Sequence, residues 1–169
     1  IEIAGFIAAT IAWGQRVTII KNAKSFISLM DNSPYEFITN ATIKDFQRFK
    51  KFKHRTFNGE DAVFFLKSLQ NIYKNHKGLQ NAFGLFPTPN NKSKDVLNAI
   101  TNFRNTFFSI PHPQRTTKHV SNPQENSSAN RLCMYLRWMI RNDKQKIDFG
   151  IWNVPASILM CPLDVHSGN

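Results

Sequence analysis

The sequence predicts an all-α domain, and three observations carry that prediction. Apolar residues recur at three- and four-residue intervals through most of the chain, the spacing of one helix face. Helix-opening signals stand where such runs begin, as in Ser33-Pro34 and Asn58-Gly59-Glu60-Asp61. No stretch shows the apolar-polar alternation of a half-buried strand.

The elements follow in order. Residues 2–30 read as helix in two pieces broken near Trp13-Gly14. Ile3, Phe6, Ile7 and Ile11 lie on the first piece, Ile19, Ile20, Phe26 and Ile27 on the second. Asp31-Asn32-Ser33-Pro34 stops that helix and starts another. Ser33 is its N-cap, and Pro34 takes the first helical position, where a missing N–H costs nothing. Phe46, Phe49 and Phe52 repeat every three residues within residues 44–55, which also hold Arg48, Lys50, Lys51 and Lys53. Phenylalanines inward and lysines outward describe a helical face that could track a phosphate backbone.

Asn58 to Asp61 cap a strong helix through Tyr73, with Val63, Leu66, Leu69 and Ile72 along one side. Residues 84–93 read as a loop around Pro87 and Pro89, and residues 93–108 as a helix. Residues 111–128, proline- and polar-rich, read as a flexible loop carrying His112, Arg115, Lys118 and His119. Residues 130–141 give the clearest late helix. Leu132, Tyr135, Leu136 and Met139 form its apolar stripe, while Asn130, Met134, Arg137 and Arg141 line another face. Residues 142–163 are loop-rich, with Pro155 and Pro162.

A chain of 169 residues suits one domain, 1–169, and its 15 phenylalanines suit a packed core. The balance of 22 Lys and Arg against 11 Asp and Glu, a net charge of +11, favours a polyanionic partner, nucleic acid ahead of a membrane surface. Cys133 and Cys161 form neither a metal motif nor a disulfide framework, so a reducing, cytoplasmic setting is expected. The apolar residues 1–13 are too short to span a bilayer. They also lack the basic start and cleavage site of a signal peptide. The histidines are scattered and match no Cys-x-x-Cys or His-Glu-x-x-His pattern, so no metal site is expected. The chain starts without Met and stops three residues after His166, so the domain is expected to be truncated at the C-terminus and also at the N-terminus.

Cys161-Pro162-Leu163-Asp164-Val165-His166 is the segment richest in chemistry. A carboxylate after a proline-bounded turn can stabilise developing positive charge or activate water. Asp164 can equally cap a following helix. His166 can serve as a base or a phosphate contact. Arg131, Arg137 and Arg141, with Trp138, set guanidinium and aromatic groups together, as a nucleic-acid surface does. Gln15 and Arg16 stand at the break after the first helix, where glutamine serves as a wedge between bases or as a cap.

Pro162-Leu163-Asp164-Val165-His166 resembles the catalytic-aspartate element of the helix-hairpin-helix DNA glycosylase superfamily, which includes endonuclease III and the 8-oxoguanine DNA glycosylases. Residues 7–15, Ile-Ala-Ala-Thr-Ile-Ala-Trp-Gly-Gln, are similar to the early helix of that superfamily that ends in a lesion-probing glutamine or asparagine. Nearly the whole chain also resembles an uncharacterised bacterial family of unknown function, common in Bacteroidetes. Trp13-Gly14-Gln15-Arg16, Arg55-Thr56-Phe57-Asn58-Gly59-Glu60-Asp61, Leu136-Arg137-Trp138-Met139 and Asp148-Phe149-Gly150 are phrases that carry this likeness.

The resemblance implies an all-α, glycosylase-like fold in which helices after the aspartate complete the site. It implies damaged duplex DNA as partner and a bacterial cytoplasm, near the nucleoid, as location. Asp164 would stabilise the sugar cation. Gln15 and Arg16 would enter or grip the duplex, and Arg131, Arg137 and His166 would hold phosphates. No metal, organic cofactor or obligate protein partner is implied. Bifunctional members carry a lysine where Asn130 stands, and asparagine forms no Schiff base with the sugar, which counts against a lyase step. The resulting expectation is a glycosylase-like protein acting on a flipped damaged base, 8-oxoguanine among the candidates. The same Asn130 supports the alternative of a non-catalytic nucleic-acid-binding module on this scaffold.

Overall fold

Ile3, Phe6 and Ile7 bury one face of the first helix, α1 (Glu2–Thr10), and Phe6 sits at the centre of the core. Its ring meets those of Phe65, Phe103, Phe107 and Tyr135 within 6 Å, most of them edge-on or tilted, as ring quadrupoles prefer. Those four rings come from α4 (Gly59–Asn75), α6 (Lys94–Phe107) and α7 (Asn130–Ile140). One phenylalanine thus ties three distant helices to α1. In the computed structural model, the described residues are 1–85, 94–125, 127–143, 145 and 147–162.

The break expected near Trp13-Gly14 separates α1 from α2 (Arg16–Ser28). α3 (Pro34–Asn40) opens with Ser33 as N-cap and Pro34 at the first position, as expected; the Ser33 side chain makes no cap hydrogen bond. Phe46, Phe49 and Phe52 are buried and Arg48, Lys50, Lys51 and Lys53 are exposed, but the segment Asp45–Lys51 is a 3-10 helix. Three residues per turn suits a phenylalanine every three residues better than 3.6 does.

α4 has a full capping box. The Asn58 side chain accepts from the Glu60 and Asp61 N–H groups, and the Asp61 carboxylate accepts from the Asn58 N–H at 2.9 Å. Gly59 is required for packing: a methyl there would overlap the Lys50 carbonyl, where the 3-10 helix crosses the start of α4. α7 packs along α1, and α3 packs on α4. The expected mostly helical architecture is present.

Two features depart from the sequence expectation. A two-residue antiparallel ladder, β1 (Lys53–His54) with β2 (Phe57–Asn58), pairs Lys53 with Asn58 and His54 with Phe57. Strands this short leave no alternation to detect. A four-residue helix, α5 (Leu79–Ala82), follows α4. The described residues of 111–128 are irregular, with short 3-10 helices at Gln114–His119 and Pro123–Glu125, and they bury Thr116, His119 and Val120. Most of the expected loop at 84–93 lies outside the described residues. Among the described residues no helix is long and apolar enough to cross a membrane.

Candidate nucleic-acid interface

The start of α4 and the turn at residues 114–119 meet at one carboxylate. The Asp61 side chain is fully buried, and both its oxygens are engaged. Thr116 Oγ1 donates to Oδ1 at 2.8 Å, and Arg115 Nη1 donates to Oδ2 at 2.5 Å. Arg115 also donates to Asn58 Oδ1 at 2.8 Å and to the Thr56 carbonyl at 3.0 Å, so it straps the β-turn to the helix cap. His119 Nε2 stands 3.2 Å from Asp61 Oδ2, out of hydrogen-bond alignment. Burial pushes the Asp61 pKa up, but the hydrogen bonds from Asn58, Thr116 and Arg115 and the nearby His119 outweigh it, and the net effect is a lowered pKa. Burial pulls His119 down, against the attraction of Asp61.

This network carries the Trp13 turn. The His119 ring stacks on Trp13 with centroids 6.0 Å apart, and His54 meets Trp13 edge-on at 5.0 Å. His54 Nε2 lies 3.1 Å from the Trp13 carbonyl, which can only accept, so the proton belongs on Nε2. Nδ1 then accepts from Asn22 Nδ2 at 2.8 Å. The Arg131 guanidinium lies 4.8 Å from the centroid of the Trp13 ring and donates to the Thr10 carbonyl at 2.6 Å. Gly14 follows with φ +104, and the Arg55 side chain fills the space a Cβ would need. Trp13 is therefore held by β1, α7 and the 114–119 turn, and Asn22 of α2 braces His54.

That frame presents Gln15 and Arg16 to solvent. Gln15 takes the N-cap position of α2 in extended geometry, and its side chain makes no cap hydrogen bond. Arg16 is exposed in the first turn. Arg131, the third predicted contact, joins this group through Trp13 and Thr10. Burial lowers its pKa, yet a guanidinium stays charged.

Arg137 lies elsewhere, on the same helix. Its Nη2 stands 3.3 Å from Oδ1 of the buried Asp148, and Arg141 Nε stands 2.7 Å from Oδ2. Asn130 is the first residue of α7 and lines a cleft with Arg137, Met160 and Cys161. Asp164 and His166 lie outside the described residues. Among the described residues no group of three or more His, Cys, Asp or Glu is placed to hold a metal ion.

These elements span a single recognisable family. A family model described as Protein of unknown function (DUF2400) matches residues 1–169. The chain belongs to that family. No curated protein matches the chain, and no solved structure does. The DUF2400 match covers the Trp13 turn, the Asp61 network, α7 and the Asp164 segment alike.

Sequence reasoning singled out Gln15, Arg16 and Arg131 but missed Asp61, Arg115, His54 and His119 as their support. Asp61 was legible only as a helix cap. Its partners stand 54 to 58 positions away, and no local pattern spans that distance.

Proposed function

We propose that this protein is a DNA base-excision glycosylase-like protein. The duplex would bind over the Trp13-Gly14-Gln15-Arg16 turn, and a damaged nucleotide would be flipped out with Gln15 occupying the gap. Cleaving the N-glycosidic bond builds positive charge on the sugar, as in other glycoside hydrolysis. Asp164 would offset that charge and orient water, while Arg16 and Arg131 would hold phosphates.

The observation that carries this reading is the braced turn itself. A free glutamine projects from a helix N-cap beside exposed Arg16, above a tryptophan fixed by Arg131, His54 and His119. A wedge must resist the duplex it enters, so rigid support beneath an uncommitted side chain fits that role. The strongly basic chain supports a phosphate-bearing partner. A second reading rests on the resemblance, which places the lysine of bifunctional glycosylases at Asn130, the first residue of α7; a non-catalytic DNA-binding module then fits the same surface.

Single-turnover cleavage of duplexes containing 8-oxoguanine, uracil or an abasic site tests both. Products are read before and after hot alkali, with Gln15→Ala and Asp164→Asn beside the parent chain. Alkali-revealed breaks that fall about 100-fold or more in Asp164→Asn establish the glycosylase. Salt-sensitive binding without breaks in any form establishes the binding module, and no binding to any duplex defeats both.

A further inference from the structure

The chain holds two cysteines, and both line one cleft of about 440 Å³ between α7 and residues 159–162. Their settings differ. Cys133 is buried one turn beyond Asn130, with its thiol 3.9 Å from the Ser128 carbonyl; Cys161 is exposed on an irregular stretch. Burial first, and then the neighbouring Cys161, raise the Cys133 pKa, so Cys133 makes a poor first nucleophile toward a solvent oxidant. Cys161 meets solvent directly.

We propose that Cys161 and Cys133 form a redox pair, in which hydrogen peroxide oxidises Cys161 and Cys133 captures the product as an intramolecular disulfide. In the first step the Cys161 sulfur attacks one peroxide oxygen. The O–O bond breaks, the departing hydroxide takes a proton to become water, and Cys161 is left as a sulfenic acid. In the second step the Cys133 sulfur attacks the Cys161 sulfur. An S–S bond forms, the S–O bond breaks, and the hydroxyl leaves as water with the Cys133 proton. Two thiols and one peroxide give one disulfide and two waters; the sulfurs lose two electrons and the peroxide gains them.

The division of labour follows from the exposures. The accessible thiol meets the oxidant, and the buried thiol stays reduced until a sulfenic acid forms across the cleft. A disulfide needs Cα atoms within about 7 Å. Cys133 and Cys161 line the same cleft, from α7 and from residues 159–162. The bond would tie α7 three residues past Asn130 to the chain three residues before Asp164. Its effect on DNA rests on the function proposed above; the thiol chemistry does not.

The test uses the full chain, reduced and then treated with stoichiometric hydrogen peroxide, followed by maleimide under denaturing conditions. The expected product is a monomer lighter by about 2 Da that takes up no maleimide and returns to two free thiols with dithiothreitol. In Cys133→Ser, dimedone should trap Cys161 as its sulfenic acid, whereas Cys161→Ser should leave Cys133 unmodified. Circular dichroism checks that both variants fold. Intermolecular dimers alone, independent over-oxidation of each cysteine, or two maleimides on the treated chain would overturn the pair. Duplex affinity is then compared between the two forms. A change reversed by dithiothreitol supports the link to the DNA surface, and an unchanged affinity overturns that link. Disulfide formation in a chain that binds no DNA in either form defeats the functional reading and leaves the redox pair standing.

Discussion

Two buried aspartates, Asp61 and Asp148, each face two basic side chains, yet they hold them differently. Asp61 is saturated: the Asn58 N–H, the Thr116 hydroxyl and the Arg115 guanidinium all donate to it. Asp148 has Arg137 and Arg141 at ion-pair distance, but neither meets its carboxylate in hydrogen-bond alignment. Both arginines remain nearly half exposed, at 47% and 45%, against 34% for Arg115. Donors from the α4 cap and the 114–119 turn saturate Asp61, and Arg115 extends the joint to the Thr56 carbonyl between β1 and β2. Looser pairing leaves Arg137 able to exchange Asp148 for another anion, whereas Arg141 also donates to Asp143 at 3.0 Å. The first aspartate joins the elements around it, and the second holds its arginines less tightly.

Breaking the first joint should have the largest effect. Asp61→Ala leaves Arg115 and Thr116 facing a hole and removes half of the capping box. We expect a loss of about 3 kcal/mol, the lower end for a broken buried pair because Arg115 keeps contact with water. Chemical denaturation measures it. A loss below about 1 kcal/mol would mean that Asp61 is no more a joint than Asp148 is.

Acid should find the same joint. The folded chain holds His119 below its ordinary pKa of 6.5, so the unfolded chain takes up the proton more readily. That contribution is complete above pH 6.5 and declines as the pH falls below it. Asp61 also has a lowered pKa, so its contribution is complete above its ordinary 3.8 and is lost only as pH falls through the folded value. Tm should therefore fall between pH 7 and 5 in a step that His119→Asn removes, with a second fall at lower pH that His119→Asn leaves in place. An identical profile in His119→Asn would assign the first step to another group.

How much of this was legible in the sequence divides along the same line. The helices read well because their signals are local. Ser33-Pro34 and Asn58-Gly59-Glu60-Asp61 start α3 and α4 where the sequence places them, and the break at Trp13-Gly14 is present. Gln15, Arg16 and Arg131 were singled out because residue type and a helix end are visible in the chain. The joint was not visible. Proline and polar content made residues 111–128 look unanchored, yet Thr116 and His119 are buried because Asp61, on a different element, gives them a charged partner. Arg137 was expected to meet phosphate, and nothing near it in sequence marks Asp148 as its partner.

The smallest effect is the one that decides whether the looser pair matters for binding. Asp148→Asn removes one charge and keeps the shape; Arg137 can turn to water, and Arg141 keeps Asp143. Stability should change by less than about 1 kcal/mol. The informative quantity is the salt dependence of duplex affinity. Each phosphate neutralised by a protein cation steepens the fall of log affinity with log salt by about 0.9. Arg137 freed from Asp148 should add about one such contact, giving tighter binding at low salt and a steeper slope. An unchanged slope would place Arg137 off the duplex and confine the interface to the Trp13 turn. The two aspartates would then differ only in how firmly they hold the fold.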